Sequence, residues 1–189
     1  LLGFPTVPPV VARRLDGKRG SLQLWIEGAN TYAGWREDRA GAEDPEPVAR
    51  RRDTLRVFDA LIANQDRNPG NILLGPGEAI WWIDHTRSFG GGRELRGLDE
   101  VEACDRRLWQ ALRELAEGEL RERLRPYTPY VDVLLERRRR LLVWLDARRA
   151  ERGDGFFYLE GAASEELGPG AEASGRYNPA RTPQSRVER

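Results

Sequence analysis

The chain has 189 residues, room for one ordinary domain or a domain with a tail. Apolar residues make up 39%, enough for a core, and 31 basic against 31 acidic residues leave no net charge, which argues against a general nucleic-acid or membrane-binding surface. The single cysteine excludes an internal disulfide, no apolar run approaches the roughly 20 residues of a spanning helix, and no signal peptide is visible; a cytoplasmic setting without integral membrane contact is expected.

The chain opens LLGFPTVPPVV in mid-pattern, with no methionine anywhere, and the expectation is that it is N-terminally incomplete. Residues 7–14 read as a strand entered through prolines. DGKRG, from Asp16 to Gly20, reads as a hairpin turn with Gly17 and Gly20 at the positions of positive φ, which puts Lys18, the only lysine, in a tight exposed turn. Ser21 to Ala29 follows as the return strand, with Leu22, Leu24 and Ile26 alternating against Gln23, Trp25 and Glu27. Residues 30–46 are polar and glycine-rich, a loop or a short helix. A helix then begins at Pro45 and Pro47 and carries Val48, Leu55, Phe58, Leu61 and Ile62 as its buried stripe.

NILL and AIWWI predict a second hairpin, with GPGE as its turn. From Leu95 to about Arg152 the pattern is helical throughout. Leu98, Val101, Leu108, Leu112 and Leu115 mark one helix, Arg125 to Tyr130 breaks it with two prolines, and Val131, Leu134, Leu135, Leu141, Leu142 and Leu145 carry another. Beyond Gly153 the composition shifts to Gly, Ala, Ser, Glu and Pro, and only Phe156 to Leu159 is expected to be well ordered. The order of elements predicts an α+β fold with a polar hairpin where a small sheet meets a helical lobe.

That hairpin concentrates the chemistry. Asp66 follows the helix, Asn71 heads the first strand and Asp84 closes the second, so the hairpin draws Asn71 and Asp84 together at its open end and the loop carrying Asp66 faces the same mouth. A hard cation such as Mg²⁺ takes oxygen ligands, few of them charged, with phosphate oxygens completing the shell, and Asn71 with Asp84 supplies that set. Asp66 is left nearer an acceptor, where a carboxylate orients a hydroxyl and takes its proton.

NQDRNPGNILL followed by WWIDH resembles the catalytic loop and metal-binding strand of the atypical protein-kinase-like superfamily, in particular its phosphatidylinositol 3-/4-kinase-like and HipA-like branches. The resemblance is strong over residues 55–89 and weak over 7–29. It implies a protein-kinase-like fold in which residues 1–29 are a remnant of the nucleotide lobe and hinge, 30–152 a mainly helical C-lobe, and 153–189 a largely disordered tail. It further implies an ATP-dependent phosphotransferase using Mg²⁺, moving a γ-phosphate to a hydroxyl acceptor on a protein, lipid or small molecule. Asp66 matches the catalytic aspartate, Arg67 the arginine that braces the catalytic loop, and Asn71 and Asp84 the metal ligands. The hinge match places adenine near Glu27 and Ala29.

The sequence also departs from that pattern. Asn68 stands where those branches carry His, His85 and Thr86 replace the Phe-Gly that follows the metal aspartate in ordinary kinases, and no glycine-rich loop with its strand lysine lies within the chain. Lys18 is no substitute, so the chain alone is expected to bind nucleotide poorly and to transfer no phosphate. Two alternatives stand beside this reading: an aminoglycoside-type phosphotransferase, disfavoured by Asn64 and Gln65 ahead of Asp66, and a non-catalytic pseudokinase-like binding module. Several prominent residues receive plain structural readings. His85 is taken as a hydrogen-bonder, Trp81 and Trp82 as packing on opposite sheet faces, Arg137 to Arg140 as a solvated helix face, and Cys104 as core on its helix.

Overall fold

In the computed structural model, residues 2, 6–76, 79–125 and 128–159 are described. The architecture is mixed α and β: five helices and three small sheets among these residues. Strands β1 (Val10–Leu15) and β2 (Lys18–Gln23) form an antiparallel hairpin. Its turn is the pair Asp16–Gly17, with φ of 48° and 77°, the left-handed conformation that suits the twist of a two-residue hairpin. Gly20 therefore lies inside β2 and not in the turn, and Lys18 is the first residue of that strand. The return strand stops at Gln23; Leu24 to Ala29 leave it.

A three-stranded sheet is ordered β3 (Asn30–Thr31), β4 (Ile72–Leu74), β5 (Ile80–Trp82), all antiparallel. Two residues of the expected GPGE turn, Gly77 and Glu78, lie outside the described residues. Thr31 ends β3 and caps α1 (Tyr32–Asp38), its hydroxyl accepting from the Gly34 amide. Helix α2 (Glu46–Ile62) starts at Pro45 and ends at Ala63, whose φ of 49° stops it. Its Val48 and Leu55 pack with Tyr32, Ile72, Leu74, Ile80 and Trp82 against the sheet. Its Val57, Ala60, Leu61 and Ile62 pack into a larger cluster formed with the C-terminal helices. Both clusters grip α2, so the loop that leaves it springs from a fixed base.

The expectation of continuous helix from Leu95 is corrected. Leu98 and Val101 are buried, yet the chain is irregular until β6 (Cys104–Asp105), and α3 spans only Arg106–Glu114. The cause lies on α2. The Asp53 carboxylate accepts from the amides of Glu102 and Ala103, and the Thr54 hydroxyl accepts from the amide of Asp105. Side chains thus offer the backbone an alternative to helical bonds. Asp105 then caps α3 by accepting from Arg107. Cys104 is core, as read, but on a strand, and burial pushes its thiol pKa up.

Helices α4 (Glu117–Arg123) and α5 (Thr128–Arg152) complete the lobe. Of the proline break between them, Pro126 and Tyr127 lie outside the described residues, and Pro129 sits in the first turn of α5, where its missing N–H costs nothing. The tail expectation divides. Phe157–Tyr158 form β7, which pairs in parallel with β6 and seats Phe156 and Phe157 in the core, whereas residues 160–189 lie outside the described set. No helix among the described residues is long and apolar enough to cross a membrane.

Candidate functional site

The site is built on the end of α2. Asn64 and Arg67 both reach back to Asp59, a buried carboxylate on that helix. Arg67 Nε and Nη2 donate to its two oxygens at 2.8 and 3.0 Å, and Asn64 Nδ2 adds a third bond at 3.0 Å. The other arm of Arg67, Nη1, donates to the carbonyls of Asn71 and Ile83, each at 2.8 Å. One guanidinium therefore ties helix, loop and both hairpin strands, with a bidentate ion pair as its anchor. The sequence reading had not singled out Asp59. Its signal was available: an acid aligned with Leu55 and Ile62 on the apolar stripe of a helix needs a buried partner.

This brace sets the positions of the three residues of interest. Asn64 Oδ1 accepts from the amide of Asp66, shaping the turn that carries it. Asn68 opens a short 3₁₀ turn, Pro69–Asn71, by accepting from the Gly70 amide. Asn71 then donates its side-chain Nδ2 to the Asp66 carbonyl at 3.1 Å, which turns its Oδ1 the other way. The Ile83 amide donates to the Asn71 carbonyl at 3.1 Å, one step beyond the β4–β5 ladder. Asp84 follows directly. The structure thus brings Asp66, Asn71 and Asp84 to the same open end of the hairpin.

Asp84 does not close the strand as expected. It lies beyond β5 with φ of 52°, and its Oδ1 accepts from the Thr86 hydroxyl at 2.6 Å and the Thr86 amide at 3.3 Å. Those bonds hold its carboxyl pKa below the usual carboxylate range and leave Oδ2 for another partner. Asp66 is partly exposed, and Arg87 Nε stands 3.6 Å from its Oδ2. His85 packs edge-on against Phe58 at 5.9 Å, and burial, with the Arg67 charge, pushes its pKa down, so the ring is neutral at pH 7. Its Nε2 finds no partner among the described residues, so the expected hydrogen bond is missing on that side.

The donor set suits a hard cation. Asn71 Oδ1 and Asp84 Oδ2 are one neutral and one charged oxygen, the sparse protein share that Mg²⁺ takes when waters and phosphate fill its remaining positions. No group of three or more His, Cys, Asp or Glu side chains able to hold a metal occurs among the described residues.

Glu27 and Ala29 lie elsewhere. Their loop follows β2 and precedes β3, and Asn30 pairs with Leu74, the far end of β4 from Asn71. By strand rise that separation is about 10 Å. Gly28, with φ of 72°, sits where a Cβ would be 3.4 Å from Pro76, so the loop rests on the closed end of the hairpin. Glu27 is exposed. The Ala29 amide turns back to the Ile26 carbonyl at 3.4 Å, a turn that competes with donation to an adenine placed beside it.

A cavity of about 480 Å³ opens beside the loop. Gln65 and Arg67 line it from either side of Asp66, together with Asp59 from α2 and Gly92, Glu94, Arg96 and Glu100, but Asp66, Asn71 and Asp84 do not. Neither a protein-family model nor a curated protein matches the chain.

Proposed function

We propose that this chain carries the acceptor-activating and metal-binding part of a protein-kinase-like, ATP-dependent phosphotransferase. The observation that carries the reading is the convergence at the hairpin mouth: Asn71 bonded to the Asp66 carbonyl, and Asp84 next to Ile83, whose amide donates to the Asn71 carbonyl. A loop braced by a buried ion pair holds the exposed carboxylates at its tip in place, as a ligand-binding loop on a rigid scaffold requires.

In this reading Asn71 and Asp84 hold Mg²⁺, which supplies charge stabilisation to the phosphates when bound. Asp66 orients the acceptor hydroxyl and takes its proton as the hydroxyl oxygen bonds to the γ-phosphorus, and the bond to the β-phosphate oxygen breaks to release ADP. Arg67 is the brace that keeps Asp66 in register with the hairpin. Arg87 adds positive charge at the same mouth. The loop from Ile26 to Ala29, at the other end of β4, is where the base would lie.

The test is metal binding that depends on nucleotide. Mn²⁺ titrated into the protein with ATP present should bind at least about tenfold more weakly to Asp84→Asn and to Asn71→Ala, the scale of one lost ligand interaction of about 1.4 kcal/mol. Asn at position 84 tolerates the left-handed backbone that Ala would strain. Equal affinity in wild type and both variants would overturn the assignment.

A further inference from the structure

Arg137 belongs to the run of four arginines on α5 that the sequence reads as a solvated face. Arg139 and Arg140 fit that description, paired with Glu136 at the surface. Arg137 does not: it is fully buried. Its guanidinium meets no carboxylate among the described residues. Nε donates to the Leu61 carbonyl at 2.7 Å, Nη1 donates to the carbonyls of Gly90 at 2.9 Å and Gly92 at 2.5 Å, and Nη2 is buried without a partner among the described residues.

A buried cation without a counter-charge is costly, and an apolar side chain of similar volume would fill the same space without that cost. What it gains here is specific. Leu61 lies in the last turn of α2, where the helix carbonyls carry partial negative charge, just before the turn that holds Asp66. Gly90 and Gly92 lie in the segment that follows Asp84. Gly90, Gly91 and Gly92 have no side chains to bury, so core packing cannot hold them. Only polar bonds can. Two backbone bonds run alongside the arginine between the same segments: Phe89 N–H to the Ile62 carbonyl at 2.6 Å, and Gln65 N–H to the Arg87 carbonyl at 3.4 Å.

We propose that Arg137 is a positioning residue that clamps the Gly90–Gly92 segment onto the end of α2 and so fixes the arm carrying Asp84 relative to the arm carrying Asp66. The clamp is independent of the phosphotransfer reading; only its consequence for activity rests on it. Lysine cannot replace it, because one ammonium on a flexible stem does not span acceptors on two segments in a fixed plane.

Hydrogen exchange of wild type and Arg137→Lys tests the clamp. The amides of Gln65 and Phe89 should exchange at least about tenfold faster in the variant, while the interior of α2 and the β4–β5 ladder keep their protection. Uniform loss across α2, α5 and the hairpin, or no change at Gln65 and Phe89, would overturn the proposal. Should Arg137→Lys fail to fold, the wild type still decides. Its Arg137 Nε–H should exchange with solvent about 100-fold more slowly than that of Arg139 on the same helix, and equal rates would refute the clamp. Nucleotide-dependent Mn²⁺ binding is read in parallel. It should weaken in Arg137→Lys where the arms loosen. Loosened arms with Mn²⁺ binding unchanged would sustain the clamp and sink its link to the metal site.

Discussion

Among the described residues, two antiparallel hairpins obey opposite rules. The longer one, β1–β2, has six paired residues per strand, and every one of them is exposed. The shorter one, β4–β5, has three per strand, with Ile72, Leu74, Ile80 and Trp82 all buried. The first is specified locally, by Asp16–Gly17 in the left-handed conformation. The second is held from outside: Phe58 packs at a tilt against Trp82 with ring centroids 5.2 Å apart, the Trp82 amide donates to the Thr6 carbonyl, and Arg67 grips the carbonyls at its open end. A regular ladder and a rigid scaffold are therefore separate properties. The chemistry-bearing residues sit on the hairpin that has the second property, as precise placement of a ligand set requires.

The largest expected effect comes from exchanging the tryptophans. Trp82 is 1% exposed and Trp25, just past β2, is 85% exposed. Trp82→Ala should cost about 3–5 kcal/mol in urea denaturation, through lost contacts and the cavity left behind. Trp25→Ala should stay within about 0.5 kcal/mol. Similar costs at the two sites would erase the contrast between the hairpins.

A smaller effect separates their turn glycines. A Cβ on Gly75 would lie 2.5 Å from Trp81 Cζ3, so the ring must move, and Gly75→Ala should cost about 1–3 kcal/mol of global stability. Gly17 has open space around it, but its φ of 77° would strain Ala by about 1–2 kcal/mol. Because β1 and β2 enter neither core cluster, Gly17→Ala should speed exchange of the hairpin amides while the denaturation midpoint holds. A midpoint shift as large as that of Gly75→Ala would show that the exposed hairpin is coupled to the core after all.

Much of this was legible in the sequence because it is written in local periodicity. The stripe of α2, the two hairpins and the position of Asp66, Asn71 and Asp84 at one hairpin end follow from spacing alone. What escaped depends on partners far along the chain. Leu98 and Val101 repeat at helical spacing, yet Asp53 and Thr54 capture the backbone after them. Arg137, three residues after Leu134 and four before Leu141, lies on the apolar stripe of α5 where Arg139 does not, but only the fold reveals that it faces the glycines after Asp84. Asp59 could have been flagged as an acid on an apolar stripe, but its partner Arg67 was identifiable only once the loop was closed. The exposure of β1–β2 was hidden for the converse reason: alternation of Leu22 and Leu24 with polar residues states which face is apolar, not whether anything covers it.

The smallest effect concerns pH and bears on the buried hairpin alone. His85 is the only histidine, and it follows directly on Asp84. Burial lowers its pKa first and the Arg67 charge adds to this; Asp59 and Asp84 oppose the shift without reversing it. The sign follows from proton linkage. The unfolded chain takes up a proton near the ordinary histidine value of about 6.5, whereas the native state does so only at lower pH. The stability contributed by keeping His85 neutral is therefore complete above about pH 6.5. It declines below that value, by at most about 1.4 kcal/mol per pH unit, until the lowered native pKa is reached. Urea midpoints at pH 7.5 and 5.5 should converge in His85→Gln relative to wild type, since the substituted side chain does not titrate. Exchange of the β1–β2 amides, corrected for intrinsic rates, should be the same at both pH values. A wild type as pH-insensitive as His85→Gln would show that the ring is hydrated in the native state and that the mouth beside Asp84 is wetter than the packing on Phe58 implies.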